Sequence, residues 1–131
     1  MPITALYASL LAPLFLYLAF RVIRVRRTIR VAIGDGGNAG LLRAMRVHAN
    51  FAEYVPMTLV LIGLAESLQT KHWLLHAMGL ALLAGRIVHA AGVSRTHENF
   101  ALRVTGIATT FTVLGVAAVA CLVGALGRVV V

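Results

Sequence analysis

Residues 3 to 20, ITALYASLLAPLFLYLAF, form an apolar run without a single charge, and two more long apolar runs follow at 72 to 94 and 100 to 127. A helix needs about 20 apolar residues to cross the ~30 Å of hydrocarbon in a bilayer, and these runs are of that length. The chain has 131 residues, 60% of them hydrophobic and only 12% charged. A soluble domain this short leaves much of its surface exposed, so it could not hide so much apolar area. A soluble enzyme and a free nucleic-acid binder are both excluded. The reading is a single all-α membrane domain over residues 1–131. No positive segment precedes the first run and no small-residue cleavage site follows it, so that run is expected to stay rather than leave as a signal peptide.

A fourth crossing lies between the first and third runs, and it is irregular. Its clean apolar part, Val55 to Ala65, would rise only about 17 Å as a helix. To cross, the helix must reach back through Glu53 and Asn50 towards Arg46. The segment GDGGNAG, residues 34 to 40, is turn chemistry, and Asn38 is placed to cap a helix start. One helix is therefore expected from about 40 to 68, its first half polar, with Pro56 as a possible site of a kink. The four spans are 3–20, 40–68, 72–94 and 100–127.

The net charge is +8, and eleven of the twelve basic residues are arginine. Arg21, Arg24, Arg26, Arg27 and Arg30 lie in loop one (21–39), and Arg95 lies in loop three (95–99). Lys71 and Arg128 alone mark the other side. The positive-inside rule then places loops one and three in the cytoplasm and both termini outside.

Ionisable side chains within spans are costly and face a protein interior or a wet cavity. Arg43, Arg46, Asn50 and Glu53 are spaced 3, 4 and 3, which puts them within about 80° of arc on one helix. Tyr54 lies beside them, whereas His48 points to the other side. Arg86 and His89 sit one turn apart on the third span, Arg103 opens the fourth, and Arg26 and Arg27 end the first. Snorkelling to lipid phosphates accounts for any single arginine at a helix end. It does not account for Asn50 and Glu53, because an acid gains nothing from anionic lipid. A pocket for a polyanion that carries one ammonium accounts for both signs.

Other features carry less. GDGGNAG lacks the strand and the Lys-Ser/Thr ending of a phosphate loop. His72 and His76 have no third ligand nearby and read as interfacial beside Trp73, so no metal is expected. Glu66 reads as solvated. Cys121 is a small hydrophobe in a small-xxx-small stripe with Ala117 and Ala125, a pattern that suits close helix packing and oligomerisation. Small multidrug pumps share the span number and length but rely on an acid in the first helix, and residues 3 to 20 hold none.

RVHANFAEYVP (46–56) resembles the signature of the MAPEG family, the membrane-associated proteins of eicosanoid and glutathione metabolism. VRRTIRV (25–31), AIGDGGNAG (32–40) and AGRIVH (84–89) support the likeness, which covers nearly the whole chain and is strongest to the bacterial inner-membrane branch. The resemblance implies a four-helix bundle, a homotrimer, and a multi-pass protein of the bacterial inner membrane. It also implies glutathione as co-substrate, held near the cytosolic face between neighbouring protomers. By position, Arg26, Arg46, His48, Asn50, Glu53 and Tyr54 would contact glutathione, joined by Arg43, Arg86 and His89 at the same depth. Arg103 resembles the arginine that activates the glutathione thiol in a synthase of the family. The third-helix tyrosines of that synthase are not matched; His89 and Val93 stand there.

The chemistry fits that implication. Glutathione carries two carboxylates and one ammonium, and a nearby guanidinium lowers a thiol pKa. Arginine keeps its charge when partly desolvated, so Arg103 would stabilise a thiolate without titrating. The expected function is a glutathione S-transferase, or a peroxidase, acting on hydrophobic electrophiles delivered by the bilayer. The alternative is a non-catalytic protein that binds lipid or a small molecule.

Overall fold

The computed structural model describes residues 1–94 and 99–129, so Arg95 lies outside the described residues. Four helices follow one another: α1 (Pro2–Ile29), α2 (Ala39–Ser67), α3 (His72–Val93) and α4 (Phe100–Val129). All four are long and apolar enough to cross a membrane. They run up, down, up and down. α1 packs on α2 and α3, and α4 packs on the same two, while α1 and α4 stay apart.

Three helices match the expected spans to within about two residues, but α1 continues well past Phe20 to Ile29. Apolar length marks where hydrocarbon ends, not where hydrogen bonding ends. Arginine is a good helix former, and Arg26 and Arg27 in the last turn suit the negative end of the helix dipole. The helix closes at Arg30 in the left-handed region (φ 56°, ψ 38°), with the Val31 amide donating to the Arg26 carbonyl at 3.2 Å. Loop one is thereby reduced to residues 30–38. Asn38 caps α2 as expected, its Oδ1 accepting from the Leu41 amide at 2.9 Å. α2 then runs unbroken through its polar and apolar halves, with Pro56 inside it.

The core is a column of Leu11, Leu18, Val47, Ile62, Leu75, Leu82 and Ala117. Leu10, Tyr17, Phe20, Leu80 and Leu122 point outward and are exposed, as suits a bundle whose solvent is lipid. Lipid is as apolar as leucine, so membrane helices associate by close packing rather than by hydrophobic burial. Gly79 allows this by admitting the Tyr7 ring against α3. Gly106 allows it between α3 and α4: a Cβ there would fall 2.6 Å from the His89 Cβ and 2.7 Å from the Gly85 carbonyl oxygen.

One detail departs from the sequence reading. Glu66 is not simply solvated. Its carboxylate accepts from the amides of Ile3 (3.0 Å) and Thr4 (2.8 Å) and from the Thr4 hydroxyl (2.6 Å). It therefore serves the orphan donors at the start of α1. The small-residue stripe on α4 is used within the chain: Ala117 is fully buried, and the Cys121 thiol donates to the Leu61 carbonyl at 3.0 Å. At the same end, His76 Nδ1 lies 3.2 Å from the Tyr7 hydroxyl.

Candidate functional site

The end of the bundle where α2 and α4 begin and α3 finishes holds a cleft of about 350 Å³. From α2 it receives Arg43, Arg46, Asn50 and Glu53, with Leu42 and Ala49 at their edges. α3 contributes His89 and Val93, and α4 contributes Arg103 and Ile107. Three helices thus bring three guanidiniums, one carboxylate, one carboxamide and one imidazole to one hollow. Its size falls among small-molecule sites, which run from about 300 to 1,000 Å³.

Local structure explains who reaches it. The capped start of α2 fixes the helix register, so residues 43, 46, 50 and 53 present one stripe towards α3 and α4. The glycine contact at Gly106 holds α4 against α3 one turn below Arg103. His89, only 6% exposed, bridges them: its Nδ1 lies 3.1 Å from the Arg103 carbonyl oxygen. A carbonyl only accepts, so His89 Nδ1 carries the proton, and in the neutral ring Nε2 is the acceptor. Arg103 is therefore held to α3 through its main-chain carbonyl.

Arg86 is close by but not in the wall. It is 2% exposed and lies behind Asn50, with Nη1 donating to Asn50 Oδ1 at 2.9 Å. Its Nε and Nη2 are buried without a hydrogen-bond partner among the described residues.

The remaining candidates face elsewhere within this chain. Arg26 clamps loop one, donating to the carbonyls of Ala32 (3.2 Å) and Gly34 (2.8 Å) and to Met45 Sδ (3.3 Å). His48 stacks on Phe15 of α1 with ring centroids 4.9 Å apart. Tyr54 sets its ring edge-on to Phe111 of α4, also at 4.9 Å. Of the ten sequence candidates, Arg43, Arg46, Asn50, Glu53, His89 and Arg103 meet in the cleft, and Arg26, His48, Tyr54 and Arg86 do not line it. Reading the sequence for chemistry passed over the apolar part of the wall, Leu42, Ala49 and Ile107, because such residues carry no signal distinct from the lipid face. Arg21 was read only as loop charge, yet its guanidinium bonds the Ser94 hydroxyl and carbonyl and ties α1 to the end of α3.

In electrostatic terms the described lining of the cleft is cationic with one exception, Glu53. Arginine presents rigid, permanently charged donors suited to carboxylates, and three of them line the same cleft as Glu53.

Comparison with known proteins identifies the family of the chain. The profile of the MAPEG family matches residues 4–123. The inner membrane protein YecN of Escherichia coli strain K12 is 40% identical over 112 residues, covering 86% of this chain and 84% of that protein. The YecN protein of E. coli O6:H1 strain CFT073 matches to the same extent.

Proposed function

This chain belongs to the MAPEG family of membrane proteins, and from that premise we propose that its cleft binds glutathione and activates the thiol for transfer to hydrophobic electrophiles. The observation that carries this reading is the charge pattern of the cleft: Arg43, Arg46 and Arg103 beside Glu53, the one acid among the described lining residues, in about 350 Å³. Glutathione has the complementary pattern of two carboxylates, one ammonium and one thiol. Arg43 and Arg46 take the carboxylates, and Glu53 takes the ammonium. Asn50 adds a neutral polar contact between them.

Arg103 then faces the sulfur. Its guanidinium favours the thiolate over the thiol, because an adjacent cation lowers a thiol pKa. The released proton passes to water at the rim. The thiolate attacks the electrophilic carbon, a C–S bond forms, and the leaving group departs with its bonding pair. No protein nucleophile is required. The electrophile enters from the bilayer, past the apolar residues Leu42 and Ile107. Positive-inside logic places the cleft end in the cytoplasm, where glutathione is available, and both termini outside. Assembly is as a homotrimer, with Arg26 in the last turn of α1 holding loop one.

The test is conjugation of a membrane-soluble aryl halide by the purified protein. Arg103→Ala is expected to lower kcat by roughly 10²–10³-fold, the usual effect of removing one donor to a developing anion. An unchanged rate overturns the assignment. A second reading, binding without turnover, is favoured by Val93, an apolar side chain in the cleft wall where the family synthase has a tyrosine. Saturable glutathione binding with no product from a broad panel of electrophiles supports that reading instead.

A further inference from the structure

Arg86 presents an unusual arrangement. Its side chain is 2% exposed in the interior of a membrane bundle, and its Nε and Nη2 have no hydrogen-bond partner among the described residues. Burying a charge without full pairing is expensive, and a buried polar atom left unsatisfied calls for an explanation. A methionine or leucine would fill the space without that cost. What the guanidinium does achieve is a single well-formed bond, Nη1 to Asn50 Oδ1 at 2.9 Å, supported by a longer contact to the Asn50 carbonyl at 3.5 Å.

That bond has a directional consequence. A guanidinium has donors only, so the atom of the Asn50 carboxamide facing it must be the oxygen. The carboxamide has two ends, and Asn50 also lines the cleft. Pinning Oδ1 behind the wall assigns Nδ2, the donor end, to the cleft. An unpinned asparagine could offer either end and would present an acceptor to an incoming anion half the time. We propose that Arg86 is a positioning residue. From outside the cleft it fixes the Asn50 carboxamide so that only its NH2 group meets the ligand, selecting a carboxylate or thiolate there and rejecting a donor.

The same geometry explains why position 50 is not aspartate. An Asp would pair with Arg86 and relieve its unsatisfied charge, but it would turn a donor into a negative charge inside an anion site. Retaining Asn sacrifices stability for a donor in the cleft, in keeping with the usual trade between the two. The inference rests on the glutathione reading for its ligand, but the pinning itself does not depend on it.

The experiment measures thermal midpoint and glutathione affinity on the full-length protein in detergent for wild type, Asn50→Asp, Asn50→Ala, Arg86→Met and the Arg86→Met/Asn50→Ala double variant. Asn50→Asp is expected to raise the midpoint by roughly 3–8 °C while weakening glutathione about 10- to 100-fold, the worth of a hydrogen bond to a charged group. Arg86→Met is expected to keep or raise the midpoint and still weaken glutathione severalfold. The double variant is expected to bind no worse than Asn50→Ala alone, since Arg86 acts only through Asn50. Losses that multiply in the double variant, or a midpoint that falls in Arg86→Met, overturn the proposal. If wild type does not bind glutathione, the functional reading fails by itself. The two midpoints then decide the pinning: a rise in Asn50→Asp without a fall in Arg86→Met supports it, and any other pattern overturns it.

Discussion

Among the described residues lining the cleft, Glu53 carries the one negative charge, and its role separates a glutathione site from a simple anion site. If it holds the ligand ammonium, Glu53→Gln weakens glutathione by about 10-fold or more, in line with a hydrogen bond between charged groups. A glutathione analogue lacking the amino group should bind wild type and variant equally. Calorimetry with both ligands checks this; equal losses for both ligands contradict the assignment. The α2 stripe could be read in the sequence because Arg43, Arg46, Asn50 and Glu53 repeat at helical spacing on one element. His89 and Arg103 came from the family resemblance and from their depth in their spans. The positions of Tyr54 and Arg86 depended on which neighbour each side chain meets. Tyr54 turns to Phe111 and Arg86 turns behind Asn50, contacts that sequence spacing does not encode.

Among the elements, the α3–α4 pair does most to shape the site. Gly106 lets α4 approach so closely that a Cβ would meet the His89 main chain at 2.6 Å. Main chain cannot swing aside as a long side chain can. Gly106→Ala should therefore push the helices apart, destabilising the protein by roughly 1–3 kcal/mol and stretching the His89–Arg103 bridge. A lower thermal midpoint together with weaker glutathione binding is the expected result; an unchanged midpoint contradicts the packing argument. Helix boundaries were legible because apolar length, Asn38 and the glycine-rich turn are local signals. Glu66 was not, since its partners Ile3 and Thr4 lie at the far end of the chain sequence. The extension of α1 to Ile29 was obscured for another reason: arginines end a hydrophobic run without ending a helix.

At the scale of the whole molecule, the bundle keeps its apolar surface outward and gathers the charged groups of the cleft at one end. On the proposed function, four crossings, an arginine-rich end and a cleft at that end would bring a water-soluble ligand and a lipid-soluble one within reach of each other. Such an arrangement suits chemistry at the boundary of two phases, and no separate soluble domain is required. Composition alone made the membrane assignment secure, because 60% hydrophobic residues in so short a chain have no other physical resolution. It could not divide the +8 charge between topology and ligand binding. The structure makes that division visible: Arg26 clamps loop one, Arg86 lies behind Asn50, and Arg43, Arg46 and Arg103 line the cleft. The most direct test is calorimetric titration of glutathione into the purified protein, alongside Arg46→Ala. The account predicts saturable binding by wild type and a roughly tenfold or greater loss in the variant. No binding heat from wild type at millimolar glutathione, or identical isotherms for the two proteins, would contradict it.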